Sequence, residues 1–437
     1  MKKYIKSALL FTLGFILVFS YSTGADAAQK GKNNTSYRTV IEVKDWGPSV
    51  TKLIVDIGKN IPQNSVDKDT FKVHVARSDS RLANPLLEEG YNNVTNAFVS
   101  DKNGNATKNG KFVVLELEHG PTVTISAAMN YDFATGLNEW VDFSYEIQQV
   151  KDIKLNGNNK ISELLITKYT GAENGLVGEF SLGKHSADGT TLTYADFAPA
   201  KDKQKNPLII WLHGGGEGGT DATIPISGNK AVNFASDGMQ SIFDGAYVLA
   251  PQAPTYWMDG LTGRADGTSK YSEALMSLIE EYVNSNPDID KNRIYIGGAS
   301  NGGYMTLLMT RDHPGYFAAA FPVCEGLNDK YVTDEDISSL KETPTWFVTA
   351  KNDTTLLPEL NTIPTYKRLI AANADDVHLT LYNDVHDTSG LYHNPDGSPY
   401  QYDGHWSWIY VFNNDPVTTI NGNNITLMEW LASKTLQ

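Results

Sequence analysis

The sequence predicts two domains: an all-β sandwich followed by a doubly wound α/β domain with a mostly parallel sheet. Two patterns support this division. Residues 39–150 contain short apolar runs separated by turn residues, whereas later strand-like runs are separated by helical patterns. Between them, the polar segment 150–159 (Val-Lys-Asp-Ile-Lys-Leu-Asn-Gly-Asn-Asn) predicts a linker. We therefore expect the sandwich at 38–150 and the α/β domain at 160–437.

The first 27 residues have the pattern of a secretory signal peptide. Lys2, Lys3 and Lys6 precede an apolar run, 8–20, that is short for a membrane span. Ala25-Asp26-Ala27 matches the small-x-small cleavage pattern, which predicts a mature chain starting near Ala28. An uncleaved N-terminal anchor is the alternative. We expect a secreted, extracellular protein that is not bound to a membrane after the signal is removed.

The net charge limits the kinds of binding partner, and the cysteine content limits the covalent cross-links. The net charge is −15, and about −17 without the signal, which disfavours binding to nucleic acid or anionic membranes. The single cysteine, Cys324, excludes an intramolecular disulfide. It follows the apolar run 317–323, so we interpret it as a buried hydrophobic residue rather than a nucleophile. The fold must then be held by its hydrophobic cores.

Residues 38–150 are predicted to form an immunoglobulin-like sandwich, because several short strands in about 110 residues are typical of that fold. In the last run, Val141, Phe143, Tyr145 and Ile147 alternate with polar residues and should face a core. The strand-like runs are Thr39–Val43, Lys52–Ile57, Phe71–Val75, Phe112–Glu118, Val123–Ala128 and Trp140–Gln148.

The α/β domain is predicted from strand-like runs that alternate with helical patterns. Residues 271–284 predict a helix, because Leu275, Leu278 and Ile279 contribute to one apolar stripe. In a doubly wound sheet, functional side chains lie at the C-terminal ends of the strands. The strand-like runs are Leu208–Leu212, Ala246–Ala250, Arg293–Ile296, Thr345–Thr349 and His378–Leu381.

A G-x-S-x-G pattern, Gly298-Ala299-Ser300-Asn301-Gly302, follows one of these strands and precedes a helix-like stretch. This is the pattern of the nucleophile elbow of α/β-hydrolases. A serine on a strained, tight turn needs neighbours without bulky side chains, so glycine is required on both sides. We predict Ser300 as a nucleophile.

A glycine-rich loop, His213-Gly214-Gly215-Gly216-Glu217-Gly218-Gly219, follows the strand 207–212. Such a loop supplies oxyanion-hole N–H groups in lipases and esterases, together with the residue after the nucleophile. Gly215 and Asn301 are therefore the predicted donors, and His213 is predicted to order the loop. A flexible loop and a phosphate cradle are the alternatives, but the Gly-Lys-Ser/Thr of a phosphate cradle is missing.

An acid should follow the serine in chain order, and a histidine should follow the acid. Asp353 lies four residues beyond the strand Thr345–Thr349, in a loop before the next helix, and is the predicted acid. Asp375, Asp376 and Asp384 are its rivals.

Four segments together resemble secreted bacterial α/β-hydrolase esterases of the prolyl-oligopeptidase/feruloyl-esterase-like group, some of which carry an N-terminal immunoglobulin-like domain. The segments are 213–218, 298–303, the Asp353 loop and Gly404-His405-Trp406-Ser407-Trp408. The resemblance covers about residue 175 to the C terminus. It implies that His405, in Gly-His-x-x-Trp, is the catalytic histidine. About twenty residues, 387–404, separate it from the last strand, where many relatives have almost none.

Two histidines therefore compete for the role of general base. His386 follows the last strand directly, where a base normally lies in this fold, whereas the resemblance favours His405. His393 and His213 are weaker candidates. Segment 387–404 is expected to line the cleft rather than to be disordered.

The predicted function is hydrolysis of carboxylic esters through an acyl-enzyme intermediate, without metal or cofactor. A serine peptidase and a non-catalytic binding protein on the same fold are the alternatives. Trp257 and Trp406 are predicted to bind substrate, because aromatic side chains near the active face could stack on sugars, phenolic acids or polyesters; loop packing is the alternative. The expected partner is an ester derived from plant polymer or polyester. The sandwich is expected to be separable and to contribute no triad residue.

Overall fold

The computed structural model describes residues 35–155, 158–201 and 204–436. The predicted signal peptide, 1–27, lies outside the described residues. A pair of β-sheets forms the N-terminal unit, and an eight-stranded sheet covered by helices forms the C-terminal unit. The predicted fold class is confirmed.

The strands of the N-terminal unit are β1 (Ser36–Lys44), β2 (Gly47–Pro62), β3 (Phe71–Ser78), β4 (Leu86–Asn92), β5 (Val94–Ser100), β6 (Asn109–Leu117), β7 (Met129–Asp132), β8 (Leu137–Trp140), β9 (Asp142–Gln149), β10 (Ile153–Lys154), β11 (Lys160–Ile161), β12 (Leu165–Ile166) and β13 (Tyr169–Glu173). One sheet has the order β13-β1-β2-β6-β5 and the other β12-β9-β3-β4. The pairs β7–β8 and β10–β11 form separate hairpins.

The core of the sandwich lies between the two sheets. Val75 on β3 and Tyr145 and Ile147 on β9 are buried in it, opposite Val55 and Leu115 of the facing sheet. Alternate residues of β9 are exposed, because successive side chains point to opposite faces. The alternation predicted for residues 141–147 is confirmed, although Phe143 is only partly buried.

Five of the six predicted strands of this unit occur, with shifted ends. The strand predicted at Val123–Ala128 is wrong, because Thr124–Ser126 forms a 3-10 turn instead. Its N–H groups bond locally: Ser126 N donates to Val123 O at 3.2 Å and Ala127 N to Thr124 O at 2.9 Å. The bonds within the turn restrict pairing with β2 to an isolated bridge between Ala127 and Ser49.

The predicted linker takes part in the sandwich. Ile153 pairs with Ile161 across the β10–β11 hairpin, and both are buried. Strand β12 joins β9, and β13 pairs in parallel with β1. The sheets of the sandwich thus continue to Glu173, beyond the boundary predicted near residue 160.

The strands of the C-terminal unit are β14 (Ser181–Ala187), β15 (Thr190–Phe197), β16 (Asn206–Leu212), β17 (Tyr247–Gln252), β18 (Ile289–Ala299), β19 (Ala319–Val323), β20 (Thr345–Ala350), β21 (Val377–Tyr382), β22 (Val417–Ile420) and β23 (Asn423–Thr426). The helices are α1 (Thr223–Gly228), α2 (Asp237–Phe243), α3 (Ser272–Ser285), α4 (Asn301–Asp312), α5 (Asp334–Leu340), α6 (Thr362–Ala371), α7 (Trp408–Phe412) and α8 (Leu427–Ala432).

The main sheet has the order β14-β15-β17-β16-β18-β19-β20-β21. Its first two pairings are antiparallel and the others are parallel. Strand β16 is buried along its whole length. Leu208 and Ile210 pack on the face that carries α3 and α4, and Ile209 and Trp211 pack on the face that carries α7 and α8. Helices on both faces explain the unbroken apolar run at 207–212.

All five strand-like runs predicted for this unit correspond to strands, although β17 begins one residue after the predicted run, and α3 lies within one residue of the predicted helix at 271–284. Leu275, Leu278 and Ile279 are buried, as their spacing predicted. Strand β19 was not predicted as a strand; its apolar residues ahead of Cys324 are interrupted by Pro322. Cys324 is buried, in agreement with its interpretation as a hydrophobic residue.

The two units meet through polar groups. Lys230 donates from Nζ to Asp45 Oδ1 at 2.5 Å, and Asp45 Oδ2 accepts from Asn413 Nδ2 at 3.2 Å. The Asp45 side chain is only 10% exposed, so this ion pair lies within the interface. Trp140 on β8 donates from Nε1 to Thr223 Oγ1 at 2.8 Å.

Candidate active site

Ser300 lies on the turn between β18 and α4, with φ 57° and ψ −114°. This conformation is strained for a residue with a side chain. Ser300 N donates to Val323 O at 2.9 Å, and Ser300 O accepts from Tyr304 N at 2.9 Å. These bonds hold the turn against β19 and against the first turn of α4.

The glycines beside Ser300 are required by the approach of β16. A Cβ on Gly302 would lie 1.9 Å from Leu212 O, and a Cβ on Gly298 would lie 2.6 Å from the same oxygen. No real Cβ could occupy either position without moving the backbone. The spacing of the G-x-S-x-G pattern therefore follows from the packing of α4 on β16.

Asp353 and His405 form a hydrogen-bonded pair. Asp353 is 1% exposed and follows β20. Its Oδ1 accepts the N–H groups of Thr355 and Leu356, each at 2.9 Å. Its Oδ2 accepts from His405 Nδ1 at 2.8 Å. This bond assigns the proton to Nδ1 and leaves Nε2 as the basic nitrogen.

The histidine loop lies directly on the acid loop. A Cβ on Gly404 would be 2.4 Å from Asn352 O, so only glycine allows this approach. The ring of Trp408 meets the His405 imidazole edge-on, with 5.7 Å between ring centroids. The His405 side chain is 11% exposed, which keeps most water away from it.

Cys324 marks where these segments converge. Its thiol lies beside the backbone of Ser300, the carboxylate of Asp353 and the side chain of Ser407. Burial raises the pKa of the Cys324 thiol well above its usual range, so the thiol is not a nucleophile. The structure thus brings the elbow, the acid loop and the histidine loop to one edge of the sheet.

His386 has a different partner. Its Nδ1 lies 2.6 Å from Asp384 Oδ1, and both side chains are more than 40% exposed. Tyr410 OH lies 3.1 Å from the same nitrogen. Another rival acid, Asp376, is bound to His378, Trp430 and Lys434.

Segment 387–404, between the two histidines, folds back on itself. Asp387 N donates to Tyr400 O, and Tyr402 N donates to Val385 O, each at 2.8 Å. The ring of Tyr392 packs edge-on against Trp46 of the sandwich, with 4.7 Å between ring centroids. The segment is therefore an ordered excursion that contacts both units.

His213 orders the glycine loop that follows β16. It is fully buried; Nδ1 donates to Gly214 O at 2.6 Å, and Nε2 accepts from Ala253 N at 3.0 Å. Burial lowers the pKa of His213 to about 4, so the ring is neutral near pH 7. Both ring nitrogens are occupied by backbone groups, which leaves no nitrogen for base catalysis.

Gly215 and Asn301, the predicted oxyanion donors, lie on the loop and at the start of α4. Gly215 begins a 3-10 turn, Gly215–Glu217. The Asn301 side chain accepts from Met258 N at 2.9 Å and donates to His213 O at 3.5 Å. The side chain thus ties the elbow to the glycine loop, while the Asn301 N–H lies in the first turn of α4, where N–H groups lack intrahelical partners.

The prediction that Trp257 binds substrate is wrong. Trp257 is 0% exposed, and its ring packs against His213 and Tyr271 at centroid distances of 5.1 and 6.0 Å. It supports the glycine loop from behind. Trp406 is partly exposed and stacks between the rings of Tyr402 and Trp408, so it remains a candidate for substrate contact.

Sequence reasoning missed the contact between the sandwich and the glycine loop. Asn138 on β8 donates from Nδ2 to Glu217 Oε1 at 2.9 Å, and Tyr256 OH donates to Gly136 O at 3.4 Å. Burial raises the pKa of Glu217 to about 7. The sequence feature that could have indicated this contact is the presence of an acidic residue, Glu217, inside a glycine-rich loop. Its partner, 79 positions away, has no sequence signature.

A second buried carboxyl, Glu325, follows Cys324. Its Oε2 accepts from Leu327 N at 2.6 Å and its Oε1 from Thr362 Oγ1 at 3.1 Å. Burial raises the pKa of Glu325 to about 8.

Among residues 35–155, 158–201 and 204–436, no group of three or more His, Cys, Asp or Glu side chains could hold a metal ion. No helix within the same ranges is long and apolar enough to cross a membrane.

Two family models match parts of the chain. The esterase Ig-like N-terminal domain matches residues 36–162, and the prolyl oligopeptidase family matches residues 265–379. The second match includes Ser300 and Asp353 and ends before His405. The predicted resemblance is confirmed, and the matches support a serine hydrolase of the esterase type.

Individual proteins are also similar to this chain. A crystal structure of a thermostable esterase aligns with 92% of this chain and 99% of its own, with a TM-score of 0.75 and 24% identity. At that identity the likeness establishes the fold. A poly(3-hydroxybutyrate) depolymerase from Ralstonia pickettii is 29% identical over 143 residues, which cover 30% of this chain. The match spans only 29% of the depolymerase.

Proposed function

We propose that this α/β-hydrolase with an esterase-type immunoglobulin-like domain is a secreted serine carboxylic-ester hydrolase that acts through Ser300, His405 and Asp353. The observation that carries the proposal is the bond between His405 Nδ1 and Asp353 Oδ2, on loops that converge with the strained Ser300 turn. An oriented histidine near a partly exposed, strained serine is the arrangement that activates a hydroxyl for acyl transfer.

The reaction follows from these positions. His405 Nε2 takes the proton of Ser300 as Oγ attacks the ester carbonyl, and Asp353 stabilises the resulting imidazolium. The N–H groups of Gly215 and Asn301 bind the oxyanion. His405 then protonates the departing alcohol, which leaves an acyl group on Ser300. A water, deprotonated by His405, releases the acid and restores the serine.

A serine peptidase is the second candidate, because the prolyl oligopeptidase family matches residues 265–379. An amide nitrogen is a poorer leaving group than an ester oxygen and must be protonated as it departs. The same three residues would catalyse both reactions. The two functions therefore differ in substrate binding, and the substrates must be compared directly.

Secretion and the source of the ester are further parts of the proposal. The signal-peptide pattern in residues 1–27 supports export. The likeness to a poly(3-hydroxybutyrate) depolymerase supports an ester substrate derived from a polymer. Trp406, which stacks between the buried rings of Tyr402 and Trp408 near His405, offers a partly exposed aromatic face to the acyl or alcohol group.

Covalent labelling and a substrate panel test the proposal. We expect a fluorophosphonate to modify Ser300, identified by mass spectrometry of the labelled peptide. Short p-nitrophenyl esters should be hydrolysed at least about 10³-fold faster than matched peptide anilides. Ser300→Ala should abolish both labelling and turnover while remaining folded. Asp384→Asn, which alters the rival acid, should leave turnover close to wild type. A folded Ser300→Ala with wild-type turnover would disprove the function.

A further inference from the structure

The hairpin of β7 and β8 reaches from the sandwich to the glycine loop. Asn138 and Glu217 meet there, with 2.9 Å between Nδ2 and Oε1. Glu217 is 5% exposed and ends the 3-10 turn that begins at Gly215. A side chain of the N-terminal unit therefore touches the loop that carries the proposed oxyanion donor.

The Glu217 carboxyl packs between the loop backbone and α1. A Cβ on Gly214 would lie 2.8 Å from Glu217 Oε2, and a Cβ on Gly228 would lie 2.9 Å from Oε1. The carboxyl also lies near the backbone of Gly214 and of Glu217 itself. Gln252 Nε2 donates to Glu217 O at 3.0 Å. A shift of this carboxyl would shift the peptide groups of the loop.

We propose that Asn138 is a positioning residue for ester hydrolysis: it holds the Glu217 carboxyl and, through it, the N–H groups of the oxyanion loop. This inference rests on the proposed function, in which Gly215 binds the oxyanion. Oxyanion stabilisation depends on donors held to a fraction of an ångström. Loss of the Asn138 amide should therefore weaken binding of the transition state more than binding of the ground-state ester.

A neutral amide suits this position. A lysine or arginine would hold Glu217 ionised, and the carboxylate would then lie beside the site where negative charge develops. The amide N–H of Asn138 can donate to the Glu217 carboxyl in both the protonated and the ionised state of that carboxyl. Asn138 thus fixes the side chain in place without adding charge to the oxyanion loop.

Asn138→Ala in the full chain tests the inference, with a short activated ester as substrate. We expect kcat to fall about 10-fold, with KM within about 2-fold of wild type. Asn130→Ala is the matched control: Asn130 lies in the same hairpin, but its amide donates to Asp79 within the sandwich at 3.0 Å. The control should leave kcat unchanged. Asn138→Leu, which has a similar size and carries no hydrogen-bond donor, should reproduce the loss if the alanine variant does not fold.

A double-mutant cycle separates positioning from direct contact with substrate. If Asn138 acts through Glu217, adding Asn138→Ala to Glu217→Ala should lower kcat no further. Additive losses, equal losses in Asn138→Ala and Asn130→Ala, or a rise in KM at constant kcat would each overturn the inference. A wild-type chain that hydrolyses no ester would instead overturn the proposed function.

Discussion

His405 and His386 each bond an aspartate through Nδ1, but the two aspartates differ in how firmly they are held. Asp353 is buried and accepts two backbone N–H groups. Asp384 is 42% exposed and lies two positions from its histidine. A fixed acid keeps the imidazole in one tautomer and orientation, which a general base requires. The burial and backbone bonds of Asp353 therefore favour His405 as the general base.

We expect His405→Ala to lower kcat on an activated ester by at least about 10³-fold, because it removes the proposed base. His386→Ala, the matched control, should stay within about 3-fold of wild type. Both variants should be checked for folding by thermal unfolding. An inactive His386→Ala together with an active His405→Ala would reverse the assignment.

Glu325 makes stability depend on pH. Its folded-state pKa is about 8, compared with 4.5 for an ordinary glutamate, so the folded state keeps a proton that the unfolded chain loses. The proton held by Glu325 therefore makes its full contribution to the free energy of unfolding below about pH 4.5. This contribution declines as pH rises towards 8. In that window Glu325 should lower the free energy of unfolding by up to about 1.4 kcal/mol per pH unit.

Glu325→Gln should remove this part of the pH dependence. The amide can still accept from Leu327 N–H and donate to the Thr362 hydroxyl, and it does not ionise. Urea unfolding across the window measures the slope for both proteins. Glu335→Gln, at an exposed site on α5, is the control and should keep the wild-type slope. An unchanged slope in Glu325→Gln would show that Glu325 is ionised in the folded state.

The elements that were predicted correctly have a regular apolar pattern, which marks burial on one face, as in β9 and α3, or on both. Strand β16 reads as an unbroken apolar run because helices cover both sides of it. Strands β4 and β5 were missed, and each is an edge strand of its sheet. Several side chains of each are exposed, and Glu88 and Glu89 interrupt the alternation of β4. Trp257 was misassigned because loop sequence does not report exposure.

The packing of α4 on β16 makes Gly302 sensitive to any side chain. Gly302→Ala would place a Cβ 1.9 Å from Leu212 O, so we expect a loss of at least about 3 kcal/mol in the free energy of unfolding. Gly238→Ala, in α2 with open space at its Cβ position, should change stability by less than about 1 kcal/mol. Urea titration of both variants checks this prediction. Equal free energies of unfolding for Gly302→Ala and Gly238→Ala would show that α4 can move away from β16 at little cost.

The sandwich is joined to the α/β unit by partly buried polar pairs. The expectation of a separable sandwich took no account of Asp45–Lys230 or Asn138–Glu217. Partners in such pairs are far apart in sequence and have no spacing that reveals them. The prediction that the sandwich contributes no triad residue still stands as a proposal, since all three candidates lie after residue 290.

Asp45→Asn tests this coupling. The substitution leaves Lys230, whose side chain is 19% exposed, without its ion-pair partner. We expect the free energy of unfolding to fall by about 2 kcal/mol. Asp69→Asn removes a partner from an ion pair on the sandwich surface and should cost less than about 0.5 kcal/mol. A loss no larger in Asp45→Asn than in Asp69→Asn would show that the two units are held together by other contacts.

The parallel pairing of β13 with β1 determines when the sandwich can fold during synthesis. Strand β1 gains its second neighbour only after residues 169–173 have been made, because Tyr37 pairs with Tyr169. Strand β13 ends at Glu173, before the first strand of the α/β unit begins at Ser181, so the sandwich can close before any strand of the α/β unit has been made. The finished sandwich can then present β8 as a preformed surface against which the glycine loop takes its shape.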